Sequence, residues 1–360
     1  MGLAYPLKAE TFVPLRSPVA VMERLREHLA EHGKVSGAQE QWSIELEIGV
    51  ATAGLKDGGI NFLVEAHDDS SLSFLQWSVA EHVYEFAPGE KPDIAWQGGI
   101  TPGRTAPYFR EMTVMRAVDV TPHMRRLTLR GNDLERFARN GLHMRLLLAS
   151  GPDVRPVWPI VGEDGRQAWP EGERPIARVY TIRRIDVAAG EIDVDFVLHD
   201  GDEMPGAQFA RDASPGDIVG MTGPGGGTLP PFSSYVFAGD ETALPAISRM
   251  LEELPAHASA IAIVEVAGPA DRQELVLGPG VDLRFVSRDG RPAGTTDLLI
   301  DSLRALDGPH WDSDPYVWVG CEQAASRGIR KYLKQELGIS RDRIRVAAYW
   351  RRGQAGEVAD

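Results

Sequence analysis

The 360-residue sequence predicts a multidomain protein that combines a small α+β domain, an antiparallel β-barrel and a parallel-sheet α/β domain. Three observations predict this class. A segment rich in Gly and Pro, QGGITPGRTAPY at 97–108, has no apolar periodicity and separates the first hundred residues from the rest. Short runs of β-forming residues follow it, and from residue 235 onward strand patterns alternate with helical ones. We therefore expect domains at 1–100, 108–232 and 233–353.

The N-terminal hundred residues carry both helical and strand patterns. Apolar residues recur at helical spacing over 19–32 and 72–86. The runs 42–50 and 60–66 instead have the composition and alternation of strands. This mixture predicts the small α+β domain.

The remaining chain changes from short strands to strands that alternate with helices. Strands are predicted at 111–116, 125–130, 144–148, 177–183, 191–198 and 218–223. Gly, Pro, Asp and Asn separate these runs, as in an antiparallel barrel. Further strands are predicted at 235–238, 261–266, 283–287, 316–319 and 343–349, with helices at 244–254, 295–306 and 323–337. This order is typical of a parallel nucleotide-binding sheet.

Composition excludes several classes of partner. With 38 basic and 52 acidic residues the formal charge is −14, which argues against nucleic acid and anionic membranes as partners. The single cysteine, Cys321, cannot build a disulfide framework or a cysteine-rich metal site. No segment approaches 18 uncharged apolar residues, so we expect no stable membrane insertion. A reducing, cytoplasmic location is the expectation that follows.

The segment ARVYTIRR places three chemically useful side chains on one predicted strand. Alternation puts Arg178 and Tyr180 on the same face and Thr181 on the other. A guanidinium, a flat aromatic ring and a hydroxyl suit a ligand that has a ring system and a pyrophosphate. The alternative interpretation is a strand with an edge tyrosine and solvated arginines.

The order of these features resembles the ferredoxin reductase group of flavoenzymes, in which a barrel with R-x-Y-T precedes a nucleotide-binding domain. Three stretches, RVYTIRR, GDETALPAI from Gly239 and YWRRG from Tyr349, resemble the siderophore-interacting protein family, the FAD-dependent ferric-siderophore reductases. This resemblance covers about 108–353. The stretch LQWSVAEHVYEFA from Leu75 resembles a small domain of unknown function that is sometimes fused to such reductases.

The resemblance implies how the barrel would hold FAD. Arg178 would neutralise an FAD phosphate, with help from Arg183. Tyr180 would stack on the isoalloxazine, and Thr181 would hydrogen-bond the edge of the ring that accepts hydride. Tyr180 and Thr181 are therefore the expected catalytic residues.

The segment HDGDEMPGAQFA, which begins at His199, resembles the pyrophosphate-binding turn of the family. Gly206 and Ala207 permit close backbone approach at a helix start, where exposed N–H groups bind anionic oxygens. The order of Pro205 and Gly206 is reversed relative to the family, and Phe209 stands where tryptophan is common. His199 is either a cofactor contact or a local hydrogen-bonding residue of the turn.

The resemblance also implies a nicotinamide nucleotide site. Its expected contacts are Gly239, Asp240, Thr242 and Ala243 at a strand–helix turn, Ser287 and Arg288 after another strand, and Trp350. Ser287 and Arg288 resemble a clamp for the 2′-phosphate, which favours NADPH over NADH, although a solvated loop arginine fits equally well. Trp350 either flanks the flavin or caps the last strand.

Basic residues concentrate near the C-terminus, between 327 and 352, in an otherwise acidic chain. Arg330, Lys334 and Arg351 are the candidates for attracting an anionic substrate, and Arg330 and Lys334 would share one helix face. The alternative is a solvated helix face. Cys321 lies either beside the nicotinamide or in the core as a small apolar residue.

Together these features lead us to expect an FAD-dependent NAD(P)H oxidoreductase that reduces a ferric siderophore and releases Fe(II). The siderophore brings the iron, so no metal ligands from the protein are expected. Two alternatives stay open: a non-enzymatic sensor or carrier of flavin or ferric chelate, and a general flavin diaphorase with a different acceptor. The N-terminal domain is expected to contact an unknown protein partner.

Overall fold

The computed structural model describes residues 5–30, 33–139, 141–151, 154–198 and 204–354. The chain divides into two compact units. The first contains 1–109 and 153–175, and the second contains 110–152 and 176–360. Residues 153–175, which the sequence places in the barrel domain, therefore belong to the N-terminal unit.

The first unit has the expected α+β architecture. Its six-stranded sheet has the order β2-β3-β4-β5-β1-β6. The elements are β1 Leu7–Pro14, α1 Pro18–Leu29, β2 Lys34–Gly37, β3 Gln41–Leu46, β4 Gly49–Lys56, β5 Gly59–Ala66, α2 Asp69–Phe86 and β6 Gln97–Gly98. Alternate residues of β5, including Phe62 and Val64, share one core with Leu25 of α1 and Leu75 of α2.

The predicted strand at 42–50 is two strands, β3 and β4, which meet at a tight turn. Gly49 begins β4 with a φ of +156°, and a Cβ there would lie 2.1 Å from the carbonyl oxygen of Glu65. The apolar alternation continues through the turn, which explains why the sequence pattern does not reveal it.

The second unit begins with a seven-stranded sheet of order β12-β9-β15-β7-β8-β14-β13. Its elements are β7 Phe109–Thr121, β8 Met124–Arg130, α3 Glu135–Arg139, β9 His143–Leu148, β12 Ile176–Thr181, β13 Arg184–Asp186, β14 Glu191–Val197, α4 Pro205–Asp212 and β15 Ile218–Gly225. The hairpin β10 Ile160–Val161 and β11 Gln167–Ala168 belongs to the first unit. The end strands β12 and β13 are consecutive in the chain, and the Arg183 amide donates to the Asp193 carbonyl at 3.0 Å. The sheet therefore curls into a barrel around a core that includes Phe137 and Phe196.

The second sheet of this unit is parallel and has the order β18-β17-β16-β19-β20. Its elements are β16 Ser234–Gly239, α5 Leu244–Glu252, β17 Ser259–Val266, β18 Val281–Ser287, α6 Leu298–Arg304, α7 Gly308–Asp312, β19 Tyr316–Glu322, α8 Gln323–Lys331 and β20 Ile344–Trp350. Every residue of β19 is buried, as expected for a central parallel strand covered on both faces. No helix in the described part of the chain is both long enough and apolar enough to cross a bilayer.

Candidate active site

The R-x-Y-T strand is β12, as the sequence predicts. It pairs with β9 so that Arg178 lies opposite Leu146 and Thr181 lies opposite His143. The Arg178 side chain is half-buried, and its guanidinium donates to the Ala177 carbonyl at 2.7 Å. Among the described residues it has no carboxylate partner, so its remaining donors suit a phosphate.

Tyr180 meets the start of α4 at close range. Its ring centroid lies 4.3 Å from that of Phe196, and a Cβ on Gly206 would lie 1.7 Å from the Tyr180 hydroxyl oxygen. Only glycine fits there. The first-turn amides of α4, which include those of Gly206 and Ala207, have no partner within the helix and are available to an anion. His199 lies outside the described residues.

Arg183, which the sequence assigns to an FAD phosphate, forms an ion pair within the protein. The residue is 8% exposed, and both terminal nitrogens donate to the Glu252 carboxylate at 2.7 Å. Arg249 on the same helix donates to the Ile182 carbonyl at 3.0 Å. These contacts fasten the end of β12 to α5, and a phosphate contact of Arg183 would require its guanidinium to leave Glu252.

The parallel sheet has its topological switch point between β16 and β19. The chain runs outward from β16 through β17 to β18, then returns to β19 on the other side of β16. Nucleotides bind at the carboxyl ends of the strands at such a point. A Cβ on Gly239, at the end of β16, would lie 2.6 Å from both the Ala243 Cβ and the Gly320 carbonyl oxygen. Gly239 is therefore required for close strand–helix packing.

Asp240 occupies this crevice and is only 5% exposed. Its Oδ1 accepts from the Thr242 amide at 3.0 Å and from the Thr242 hydroxyl. Its Oδ2 accepts from the Glu322 amide at 3.2 Å and from the Trp350 indole at 2.8 Å. Burial, followed by the nearby Glu241 charge, raises the pKa of Asp240 to about 6.

Hydrogen bonds within this turn change the expectation for the pyrophosphate. The Thr242 amide donates to the Asp240 side chain, and the amides of Ala243 and Leu244 donate to the Asp240 carbonyl. The turn is thus capped by its own aspartate. A pyrophosphate near Gly239 would have to use other donors.

Arg288 is buried rather than solvated. It is 3% exposed, and its terminal nitrogens donate to the Glu241 carboxylate at 2.6 and 2.8 Å. One of them also reaches Glu265 at 3.4 Å, and Glu265 accepts from the Thr296 hydroxyl at 2.8 Å. The neighbouring Ser287 hydroxyl is buried without a hydrogen-bond partner among the described residues. The predicted 2′-phosphate contact would require Arg288 to leave Glu241.

The basic C-terminal residues have different surroundings. Arg330 donates to the Val346 carbonyl at 2.6 Å and so ties α8 to β20. The chain then continues as a π-helical turn, Tyr332–Glu336, which breaks the i, i+4 spacing that the sequence assumes between Arg330 and Lys334. Lys334 and Arg351 are exposed and accessible to a substrate, whereas Arg330 has a structural contact.

Cys321 lies on β19 and is 1% exposed. Burial raises the pKa of its thiol, so the group is protonated at neutral pH. It packs with the apolar residues of the sheet core, including Val319 and Ile329. The structure therefore matches the small apolar alternative.

Sequence reasoning missed one polar pair in this unit. The His143 imidazole and the Tyr349 hydroxyl are 2.6 Å apart, although 206 residues separate them in the chain. Tyr349 belongs to the YWRRG stretch, but no sequence signal distinguishes His143. Among the described residues, no group of three or more His, Cys, Asp or Glu side chains is arranged to hold a metal ion.

Three family models match this chain. Residues 113–228 match a siderophore-interacting FAD-binding domain, and residues 232–353 match the siderophore-interacting protein model. Residues 10–97 match DUF2218, described as an uncharacterized protein conserved in bacteria. The first two matches cover the barrel and the parallel sheet.

Characterised relatives and solved structures agree with these matches. Ferric vibriobactin reductase ViuB of Vibrio cholerae is 32% identical over 258 residues, which cover 70% of this chain and 92% of ViuB. NADPH-dependent ferric-chelate reductase of Escherichia coli is 30% identical over 250 residues, covering 67% of this chain and 92% of the relative.

A siderophore utilization protein from T. fusca is 35% identical with a TM-score of 0.58, covering 70% of this chain and 96% of that one. A ferredoxin-NADP+ reductase from Plasmodium falciparum, 12% identical with a TM-score of 0.50 over 69% of this chain and 99% of that one, shares the fold. The chain belongs to the siderophore-interacting protein family and carries an additional N-terminal DUF2218 domain.

Proposed function

We propose that this protein is an FAD-dependent NAD(P)H oxidoreductase that reduces ferric siderophores and releases Fe(II). The observation that carries the proposal is the position of β12. This strand carries Arg178, Tyr180 and Thr181, and Tyr180 contacts the start of α4. Arg183, just after the strand, joins it to α5 of the parallel-sheet domain. The names of the Vibrio cholerae and Escherichia coli relatives, both ferric reductases, support this activity.

The residues present fit FAD. Arg178 has no carboxylate partner within the described ranges, α4 presents first-turn amides, and Gly206 lets the helix start approach Tyr180. Arg178 and the amides of α4 would bind the phosphates, Tyr180 would lie against the ring, and Thr181 would donate to its hydride-accepting edge. When bound, FAD supplies the conversion of a two-electron hydride donor into successive one-electron transfers.

The electron balance defines the substrate class. One NAD(P)H gives up a hydride, which is two electrons and one proton; two ferric ions each accept one electron, and the proton is released to solvent. The siderophore holds the iron throughout, so the protein has to orient the donor and admit the chelate. Fe(II) is bound less tightly than Fe(III) by the hard oxygen ligands of a siderophore, so reduction releases it. We infer NADPH as the donor, by analogy with the E. coli relative.

Anaerobic visible spectroscopy tests this function. Protein saturated with FAD should lose its yellow absorption on addition of NADPH and regain it on addition of a ferric siderophore, with two equivalents of iron reduced per NADPH. Flavin that binds but is not reduced by NADPH would indicate a sensor or carrier. Flavin that is reduced but reoxidised only by quinones would indicate a diaphorase.

Arg178→Ala links this function to β12. A charge-assisted phosphate contact is worth about 1.5–3 kcal/mol, which corresponds to roughly 10- to 160-fold in the Kd of FAD. The exposed Arg184 on β13 is the matched control, and Arg184→Ala should leave the Kd unchanged. Equal Kd values for all three proteins, measured by fluorescence titration, would exclude the role of Arg178.

Two further expectations remain part of the proposal. We propose a cytoplasmic location for two reasons. The single cysteine is reduced, and the Fe(II) released from the siderophore is used in the cytoplasm. A protein partner of the N-terminal domain stays a prediction, which pull-down with the full chain would test.

A further inference from the structure

The His143–Tyr349 pair joins the two sheets of the second unit. His143 is the first residue of β9 in the barrel, and Tyr349 lies near the end of β20 in the parallel sheet. Their side chains form a hydrogen bond of 2.6 Å. The function described above gives this contact no role.

On the barrel side, the pair lies next to the R-x-Y-T strand. His143 is the direct register partner of Thr181 across β9 and β12. Side chains of directly opposed residues project from the same face of a sheet and are neighbours. The imidazole therefore lies beside Thr181, the residue expected to meet the reactive edge of the flavin.

On the other side, the pair lies at the switch point of the parallel sheet. A Cβ on Gly320, near the end of β19, would lie 3.1 Å from Cε1 of the Tyr349 ring. The ring also packs edge-to-face on Trp318, with centroids 5.9 Å apart and an interplanar angle of 88°. Tyr349 thus reaches from the nucleotide crevice to His143 on β9, the strand that pairs with β12.

The surrounding backbone is shaped to hold the imidazole. Strand β15 bulges between Thr222 and Gly225, opposite His143. The following residue, Gly226, has a φ of +84°, and a Cβ there would lie 2.2 Å from Nδ1 of His143. Burial, with Arg345 and Arg249, lowers the pKa of His143 to about 4, and burial raises the pKa of Tyr349. Both groups are therefore uncharged at neutral pH, and their hydrogen bond persists.

We propose that His143 and Tyr349 are positioning residues for hydride transfer. Their hydrogen bond holds the nucleotide crevice of the parallel sheet next to Thr181 on β12. A donor and an acceptor held at reacting distance gain rate from orientation alone. This inference rests on the proposed function, and it assigns to two residues a role in the geometry of the NADPH half-reaction only.

Stopped-flow measurement of anaerobic flavin reduction tests the proposal. Tyr349→Phe removes one oxygen atom and should lower the limiting rate at saturating NADPH about tenfold, with the apparent Kd of NADPH within about twofold. Reoxidation by a ferric chelate should be unchanged. His143→Gln should behave similarly, and the double variant should be no slower than the slower single variant, since one bond is lost in each case.

His123 provides a matched control. Its Nδ1 lies 3.0 Å from the Asp271 carboxylate, and this contact also joins the barrel to the parallel-sheet domain, but at a different strand end. His123→Ala should leave the limiting rate unchanged. In apoprotein, thermal unfolding of the two single variants and the double variant should show non-additive losses of Tm, independently of activity. The long-wavelength charge-transfer band of reduced flavin with NADP+ should weaken only in the Tyr349 and His143 variants.

Wild-type flavin that NADPH does not reduce would overturn the proposed function itself. If wild-type reduction is normal, an unchanged limiting rate in Tyr349→Phe overturns the positioning role. An equal loss in His123→Ala also overturns it, because general sheet–sheet stability would then explain the effect. Should His143→Gln fail to fold, Tyr349→Phe decides alone.

Discussion

At the residue scale, the lack of a side chain on Gly206 allows the start of α4 to contact Tyr180, which we expect to matter for FAD binding. A methyl group on Gly206 would lie 1.7 Å from the Tyr180 hydroxyl oxygen, so either the tyrosine or the start of α4 has to move. Because both are expected to touch FAD, we predict that Gly206→Ala weakens FAD binding at least tenfold. Fluorescence titration of apoprotein measures this Kd.

Two further variants separate the clash from general damage. Adding Tyr180→Phe removes the clashing oxygen and should recover part of the lost affinity, although the ring carbon would still lie 3.0 Å away. Gly268→Ala is the control, because a Cβ there meets nothing within 4 Å. A Gly206→Ala variant with wild-type affinity would show that α4 does not contribute to the flavin site.

Residues on β12 were predictable, whereas the partners of charged side chains were not. The spacing of Arg178 and Tyr180 is visible within one strand. In contrast, Arg183 pairs with Glu252, 69 residues away, and Arg288 pairs with Glu241, 47 residues away. Local periodicity contains no information on such pairs, since the fold decides which strand ends meet.

At the element scale, the sequence revealed most of the strands on which burial imposes a pattern, but it did not reveal β1, whose inward-facing residues are Ala9, Thr11 and Val13. The three inner parallel strands, β16, β17 and β19, are nearly continuous apolar runs because they are buried on both faces, and all five strands of the sheet were predicted. Two irregularities were not foreseen: the turn between β3 and β4, and the π-helical turn after Lys331. Both keep the apolar spacing while they change the direction or pitch of the backbone.

The turn between β16 and α5 should make stability depend on pH through Asp240. Its pKa in the folded protein, about 6, exceeds the ordinary value of 3.8, so the folded state binds its proton more tightly than the unfolded state. The stabilisation is therefore full below about pH 4 and is lost as the pH rises through 6, by at most about 3 kcal/mol for two pKa units. We predict that the Tm of wild type falls relative to that of Asp240→Asn between pH 4 and 7.

Asparagine removes the titration and leaves most of the shape, so the difference between the two Tm curves isolates this one group. Titrating residues that do not interact with Asp240 contribute equally to both proteins. Asp217, which caps an exposed turn through the Ser214 amide, provides the control as Asp217→Asn. A Tm difference that stays constant across the pH range for Asp240→Asn would mean that the carboxyl remains ionised in the folded protein.

At the scale of the whole molecule, the formal charge of −14 should repel an anionic chelate, and the basic residues concentrated between 327 and 352 should offset this repulsion locally. Lys334 and Arg351 are exposed, so reversing both to glutamate should slow flavin reoxidation by an anionic ferric siderophore, but not by a neutral quinone. The loss should shrink as ionic strength rises to about 0.15 M, where the Debye length is about 8 Å. Stopped-flow reoxidation measures both acceptors.

Lys34→Glu with Lys56→Glu, in the first unit, produces the same change of net charge elsewhere. An equal loss in this control would show that total charge acts, rather than a local field. Arg330 is left unchanged in these variants because its hydrogen bond to Val346 holds α8 on β20.

The division into units predicts which truncation preserves the flavin site. Residues 153–175 belong to the first unit, where the Trp96 indole donates to the Asp164 carbonyl at 2.9 Å, so removing 1–107 alone leaves this segment without its partners.

Leu148 and Ile176 are register partners across β9 and β12, so a two-residue Asn-Gly turn can replace 149–175. We predict that 108–353 with this replacement binds FAD with the Kd of the full chain and binds little of the dye ANS. The same truncation with 149–175 retained should bind FAD equally well but expose apolar surface, which raises ANS fluorescence and aggregation. Loss of FAD binding only after the replacement would instead show that 149–175 supports the barrel, and that the two units do not fold independently.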